Sequence, residues 1–273
     1  MAIDMKITAL VENKTCGGIT ASKSIKSVHG LALYIETPKH RMLFDAGPDK
    51  TLFENSETLG IDLTGVDIAV ISHGHYDHGG ALGKLLEIND KVKVYAQRKA
   101  FDKHYSKRLF KKAGIGLEDG LQAHPQVVLL DGDYVIDDEL TLFTTPDTEK
   151  YYSDANKTLY TDSGKDDFAH EQNLIISGDT TVLILGCGHA GVVNILEKAS
   201  ANKPQVCVGG YHLWNPVTKK TVPDVLLEGI ANEMAKYDMR YYTCHCTGQK
   251  AYEDLAGKLP YMKYLSCGET IEI

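Results

Sequence analysis

No apolar run in this chain approaches the roughly 20 residues that a membrane-spanning helix needs. The stretch Met1–Val11 holds Asp4 and Lys6 within a short apolar segment, which is not the pattern of an export signal. The expected compartment is therefore the cytoplasm, with no membrane partner. Excess positive charge is also missing. A formal net charge of −8 argues against a general nucleic-acid binder, because phosphate contacts need clustered Lys and Arg. It leaves room for a small anionic substrate in a locally positive pocket. None of the six cysteines, Cys16, Cys187, Cys207, Cys244, Cys246 and Cys267, forms a CxxC pair, so free thiols are expected. Cys244 and Cys246 flank His245, and alternation along a strand would turn both away from it. They read as core thiols, with a Cys-His-Cys zinc site as the alternative. Internal repeats, low-complexity segments and linkers are absent too, so residues 1–273 read as one domain.

What the chain does have is a concentration of metal-ligand chemistry at one point. The run Ile68–Ile71 reads as a buried strand, and Ser72-His73-Gly74-His75-Tyr76-Asp77-His78-Gly79-Gly80 follows it. His73 and His75 are two apart, so on extended backbone they face the same way. Asp77 and His78 come after the chain has turned and can face a neighbouring point. Two pairs of ligands at one strand end suit two ions roughly 3.5–4 Å apart. Imidazole and carboxylate suit zinc, iron or manganese. Scattered loop polarity is a poor alternative, since burying three imidazoles and a carboxylate needs strong compensation.

Around this stretch the pattern alternates between strands and helices. Met5–Val11, Leu31–Ile35, Arg41–Phe44 and Lys93–Ala96 read as strands, and Thr51–Leu59 as a helix. Asp45, just after a strand, is either a turn residue or a hydrogen-bond partner of a metal-bound histidine. Arg98–Ala113 reads as a helix with a cationic, solvated face. The polar, Tyr- and Asp-rich stretch at about 144–170 lacks a period and reads as a lid or an insertion. A hairpin is expected around Gly178-Asp179, helices over Val192–Ala201 and Pro223–Tyr237, and a helix to Ala256 that Thr247 could cap. The element pattern predicts an α/β sandwich.

Gly186-Cys187-Gly188-His189-Ala190-Gly191 spells G-x-G-x-x-G between a strand and a helix, the dinucleotide fingerprint. The fingerprint expects an acidic residue about 20 positions on, and none lies between Glu197 and Asp224. The glycines read better as a sharp turn that presents His189 at a strand end. His212 and His245 share that placement, as His73 and His75 do. His29, His40, His104, His124 and His170 do not and read as surface or structural, with a reservation for His170 beside Glu171.

Ser72 to Gly80 resembles the HxHxDH signature of the metallo-β-lactamase superfamily. His29-Gly30-Leu31, Ile35-Glu36-Thr37 and Leu43-Phe44-Asp45-Ala46-Gly47 resemble its opening strands. Glu171-Gln172-Asn173-Leu174, Gly186 to Gly191, Gly209-Gly210-Tyr211-His212-Leu213 and Cys244-His245-Cys246-Thr247-Gly248 are similar to the branch named for dihydropterin-ribofuranosylaminobenzene phosphate synthase. The resemblance implies a four-layer αββα sandwich with a dinuclear site, zinc first, iron or manganese as alternatives. In that frame His73 and His75 hold one metal, Asp77 and His78 the other, and His189 and His245 complete the shell. Cys187 stands where the superfamily usually has a bridging Asp, which puts the second ion in question. The superfamily's third histidine would fall near His170-Glu171. Either His189 takes that role, with Glu171 accessory, or Glu171 is an oxygen ligand. His212 has the order of a leaving-group acid in related nucleases; the alternative makes it the last ligand in place of His245.

Three functions follow from the resemblance. The first is a metal-dependent hydrolase of a small phosphoester or cyclic phosphodiester, with Asp77, His212 and Glu171 as catalytic residues. The second is a pterin–arylamine condensing transferase that releases pyrophosphate. The third, a redox protein of flavodiiron type, is disfavoured because such chains usually carry Glu where this one keeps His75.

Overall fold

The computed structural model describes residues 5–15, 25–108, 111–145 and 150–273. Cys16 and the glycines after it, and part of the expected lid, lie outside the described residues. The chain divides into two compact units. The first is Met1–Asp102, Gly116–Asp131 and Leu265–Ile273; the second is Lys103–Ile115 and Gly132–Tyr264.

The first unit is built on a seven-stranded sheet in the order Thr270–Glu272, Lys6–Val11, Ala32–Glu36, Arg41–Phe44, Ile68–Ile71, Lys93–Gln97 and Val127–Leu130. The first four strands pair antiparallel and the last four parallel. Alternation decides which side chains face the helices. Leu10, Leu43, Ala69, Ile71 and Val94 pack in one cluster with Leu52 of helix Thr51–Leu59 and Leu82 and Leu85 of helix Leu82–Ile88. Each fully buried Leu contributes about 1.5–3 kcal/mol.

The second unit repeats the plan. Its sheet runs Met262–Tyr264, Arg240–Thr243, Val206–Gly209, Val182–Ile184, Gln172–Ile176, Leu140–Thr144 and Tyr134–Val135, with the first four strands parallel and the rest antiparallel. Leu183, Cys207 and Tyr241 face helices Val192–Ala199, Asp224–Met234 and Gln249–Ala256 through Ile195, Leu196, Leu227, Ile230 and Leu255. Because three of the parallel strands point the same way, the turns carrying Cys187 and His189, His212 and His245 gather at their C-terminal ends, where open α/β sheets place their sites.

Two expectations fail here. Arg98–Ala113 is not a helix. It is a single 3-10 turn, Arg98–Phe101, followed by strands His104–Arg108 and Lys111–Gly114 of a small antiparallel sheet with Leu159–Thr161 and Gly164–Lys165. The reason is a two-residue alternation that apolar residues do not mark. His104 and Ser106 are buried while Lys103 and Lys107 are exposed. Pairing with Leu159–Thr161 then satisfies the backbone, which no local signal announces. Thr247 also does not cap a helix. Gly248 stands at the N-cap of Gln249–Ala256, and the Thr247 hydroxyl instead accepts the Tyr211 N–H at 3.0 Å and meets the Thr243 hydroxyl at 2.6 Å.

Candidate metal centre

In the first unit, strand Ile68–Ile71 delivers the chain into Ser72–His75, and one helical turn, Tyr76–Gly79, follows. The His75 carbonyl accepts the N–H of His78 at 3.0 Å and of Gly79 at 3.2 Å, so the turn closes directly on the ligand motif. The His73 and His75 ring centroids are 4.5 Å apart, those of His73 and His78 4.1 Å. All three histidines are buried. Asp77 Oδ2 stands 3.3 Å from His29 Nε2 and 3.9 Å from His78 Nε2.

Behind the rings runs a hydrogen-bond chain that fixes which nitrogen each ring presents. Asp45 Oδ1 accepts the Ser72 N–H at 2.7 Å, and Asp45 Oδ2 accepts the Ser72 hydroxyl at 2.7 Å and His78 Nδ1–H at 2.6 Å. The Ser72 oxygen in turn takes His73 Nδ1–H at 2.8 Å. Of the two readings of Asp45, the hydrogen bond to a histidine is present, and the residue also sits in a turn with φ 62°. With both Nδ1 atoms engaged, His73 and His78 carry their lone pairs on Nε2, as metal-ligating imidazoles backed by a carboxylate do.

In the second unit, His189 is set the same way. Its Nδ1 meets Asn156 Oδ1 at 2.9 Å, its ring stacks on Phe168 at 4.4 Å, and Asn156 Nδ2 donates to its carbonyl at 2.8 Å. Both oxygens of Glu171 are spent on backbone: the N–H of His189 at 2.7 Å and of Ala190 at 2.8 Å. Glu171 thereby anchors the turn that carries His189. His212 lies 4.1 Å from His189, ring to ring, and is 6% exposed. Among the described residues neither of its ring nitrogens has a hydrogen-bond partner. Its φ of 46° is held by its own N–H to Cys246 Sγ at 3.2 Å and by the Ser153 hydroxyl on its carbonyl.

The thiols need a correction. Strand Arg240–Thr243 ends before Cys244, and His245 opens a 3-10 turn with φ 47°, so strand alternation does not govern Cys246. Cys246 Sγ joins Cys187 and His212, their ligand atoms within 4.8 Å of one another. Its thiol departs from an ordinary core thiol. Burial raises Cys207 to about 12. In Cys246 burial also raises, but the interaction with Cys187 and the nearby His212 and His245 imidazoles prevail and hold it well below the ordinary thiol range. Sequence reasoning also passed over His104 and Asp166. Asp166 is drawn below the usual carboxylate range although burial opposes this, because it accepts hydrogen bonds from His104 and His170. His170 is lowered, chiefly by burial, against the pull of Asp166. The only available signal was the polar alternation around His104.

These groups of buried His, Cys and Asp side chains could hold a metal ion, and residues 27–193 match the metallo-beta-lactamase superfamily. The chain belongs to that superfamily and has its fold, the αββα class expected from the sequence. It is 30% identical over 260 residues to an uncharacterized protein of Methanocaldococcus jannaschii, covering 92% of this chain and 93% of that one. It is 26% identical over 253 residues to the 7,8-dihydropterin-6-methyl-4-(beta-D-ribofuranosyl)-aminobenzene-5'-phosphate synthase of the same organism, covering 82% and 83%. Among solved structures it is similar to the metallo-beta-lactamase fold protein YhfI from Bacillus subtilis, with TM-score 0.57, 13% identity and 100% of each chain covered. A diphosphatase from the PhnP family gives TM-score 0.56 and 14% identity over 100% of this chain and 98% of that one. No helix among the described residues is long and apolar enough to cross a membrane.

Proposed function

We propose that this chain is a metal-dependent hydrolase of a small anionic phosphoester or cyclic phosphodiester. The observation that carries the metal reading is the chain Asp45–Ser72–His73 and Asp45–His78, which engages Nδ1 of two imidazoles and leaves Nε2 as the nitrogen each would offer a metal. The donor set fits a transition ion: His73, His75, Asp77, His78, His189 and His245 are the proposed ligands of one or two ions, zinc first, iron or manganese next. The bound metal supplies an acidified water and polarises a phosphoryl oxygen. Glu171 holds the His189 turn in place through two backbone N–H groups. His212, buried and without a hydrogen-bond partner on either ring nitrogen among the described residues, is the proposed donor of a proton to the leaving oxygen. Elemental analysis of purified protein, run beside a panel of phosphomonoesters and cyclic phosphodiesters, tests this. Stoichiometric metal with metal-dependent turnover of one phosphoester class is expected. Metal-free protein that gains no turnover from added zinc, iron or manganese overturns it.

The second reading is a pterin–arylamine condensing transferase. The likeness to the M. jannaschii synthase over most of both chains favours it. Release of pyrophosphate from a dihydropterin pyrophosphate, dependent on an added arylamine, would establish this reading over the first.

A further inference from the structure

The chain holds a single tryptophan. Trp214 comes two residues after His212, on a hairpin that pairs Trp214–Asn215 with Lys220–Thr221. Two residues of extended chain reach no further than about 7 Å, so the Trp214 Cα lies within that distance of the His212 Cα. The hairpin belongs to the second unit and packs on the His245–Thr247 turn. There the indole meets the N-cap of helix Gln249–Ala256. A Cβ added to Gly248 would lie 2.5 Å from Trp214 Cβ and 3.0 Å from its Cγ. With no side chain at position 248, the indole lies directly against the turn that carries His245.

The hairpin is tied into one geometry. Asn215, which is buried, donates from Nδ2 to the Ala155 carbonyl at 2.8 Å and to the Thr158 hydroxyl at 3.0 Å. Its Oδ1 accepts the N–H of Val217 at 2.8 Å and of Thr218 at 2.9 Å. The Lys219 N–H reaches the Asn215 carbonyl at 2.9 Å, and Lys219 takes φ 58°, a left-handed conformation that a lysine rarely adopts. That backbone sets Lys219 Nζ 5.0 Å from the centroid of the Trp214 ring. The ring is half-buried, while Lys219 and Lys220 are exposed. Lys198, Lys236, Lys250 and Lys258 of the same unit each meet a carboxylate. Among the described residues Lys219 and Lys220 have no acidic partner, in a chain with a formal net charge of −8. The hairpin thus offers a ligand two different contacts, a flat apolar face and positive charge.

We propose that Trp214 and Lys219 form a specificity wall that receives the organic part of the substrate, a flat aromatic or heteroaromatic ring esterified to the phosphate. The ring stacks on the indole, and Lys219 neutralises the phosphoryl charge beside it. In an aryl phosphate the ring and the charge are one ester bond apart, which matches an indole and an ammonium 5.0 Å apart. Two other ligand classes fit worse. An aliphatic phosphoester would use the lysine and leave the indole face in water. A neutral ring compound would use the indole and leave the charge unanswered. Trp214 and Lys219 lie outside every block that carries the family resemblance, and neither is among the ligands or catalytic groups proposed above. The phosphoryl half of this assignment rests on the hydrolase reading; the ring half rests on the hairpin alone.

The single tryptophan makes the test direct, because emission excited beyond the tyrosine absorption reports on Trp214 alone. The protein as purified is titrated with phenylphosphonate and with methylphosphonate, which share the anion, differ in the ring and are not hydrolysed. Phenylphosphonate should change the emission saturably and bind about 10-fold tighter than methylphosphonate, the scale of one stacked ring. Calorimetry on Trp214→Leu should find that advantage gone, with methylphosphonate binding as in the parent. Lys219→Gln should weaken both phosphonates alike, by about 2–5-fold, as loss of an exposed charge pair does. Emission that does not respond to phenylphosphonate overturns the wall, and so does a phenyl advantage that survives in Trp214→Leu. Unchanged binding in Lys219→Gln overturns the part given to the lysine. Should Trp214→Leu fail to fold, the emission titration of the parent decides alone. The two readings fail separately. A ring-dependent response in protein that hydrolyses no phosphoester sinks the hydrolase and keeps the wall, and phosphoester turnover indifferent to an aryl group does the reverse.

Discussion

His78 Nδ1 stands 2.6 Å from Asp45 Oδ2, with both side chains fully withdrawn from solvent. Asp45 is delivered there by the end of strand Arg41–Phe44, where its N–H reaches the Val70 carbonyl at 2.8 Å and its backbone turns to φ 62°. Asn tolerates that φ, so Asp45→Asn keeps the backbone and changes only the hydrogen-bond chemistry. The amide has one acceptor oxygen where the carboxylate accepts three donors, and its NH₂ opposes either the Ser72 hydroxyl or His78 Nδ1–H. Metal affinity should fall about 10–100-fold, read by competition with a chromophoric chelator. Unchanged affinity would show that the carboxylate does not orient a ligand.

His212 and His245 separate by what each loses. His245→Ala removes a proposed ligand nitrogen and should lower metal content on dialysis. His212→Ala should keep its metal and lose about 10²–10⁴-fold in kcat, with a smaller loss on a nitrophenyl ester whose leaving group hardly needs a proton. Equal metal loss in the two variants would make His212 a ligand too. Metal kept by His245→Ala and lost by His212→Ala would reverse the assignment.

Gly209 sits where the strand Val206–Gly209 passes the Leu185 backbone. A Cβ there would lie 2.1 Å from the Leu185 carbonyl oxygen, at φ +143°. Gly209→Ala should cost at least about 1–3 kcal/mol, a fall in Tm of roughly 2–4 °C per kcal/mol. Gly114→Ala, with no heavy atom within 4 Å of the new Cβ, is the control and should melt close to the parent. Equal melting of both variants would show that the close approach is not fixed in solution.

Acid should weaken the Asp166 cluster in a defined window. Burial by itself would raise this carboxyl, but the hydrogen bonds from His104 and His170 win and hold it below the usual carboxylate range. The folded value lies below the unfolded one of about 3.9. The stabilisation is therefore complete above about pH 4 and fades as pH falls through the folded value. In metal-free protein, the gap in urea midpoint between the parent and Asp166→Asn should narrow as pH falls below about pH 4. A gap that keeps widening below about pH 4 would contradict the lowered value.

By itself the sequence determined what is contiguous. HxHxDH puts three imidazoles and a carboxylate on one strand end, and no later packing can disperse residues so close in the chain. The strands around it, Arg41–Phe44, Ile68–Ile71 and Lys93–Gln97, are legible because their buried side chains are apolar. The turn glycines that present His189 were legible for the same local reason. Tertiary structure decided everything that joins distant residues or buries polar ones. Asp45 reaches His78 across 33 positions, and Asn156 sets His189 across 33 more. Cys246 leaves the expected strand pattern because the chain turns at His245 to φ 47°, which brings it to Cys187. His104 meets Asp166 across 62 positions on a strand whose buried face is a histidine and a serine. Hydrophobic periodicity cannot announce such a face. It forms only because a strand from far along the chain satisfies its backbone and a carboxylate satisfies its imidazole.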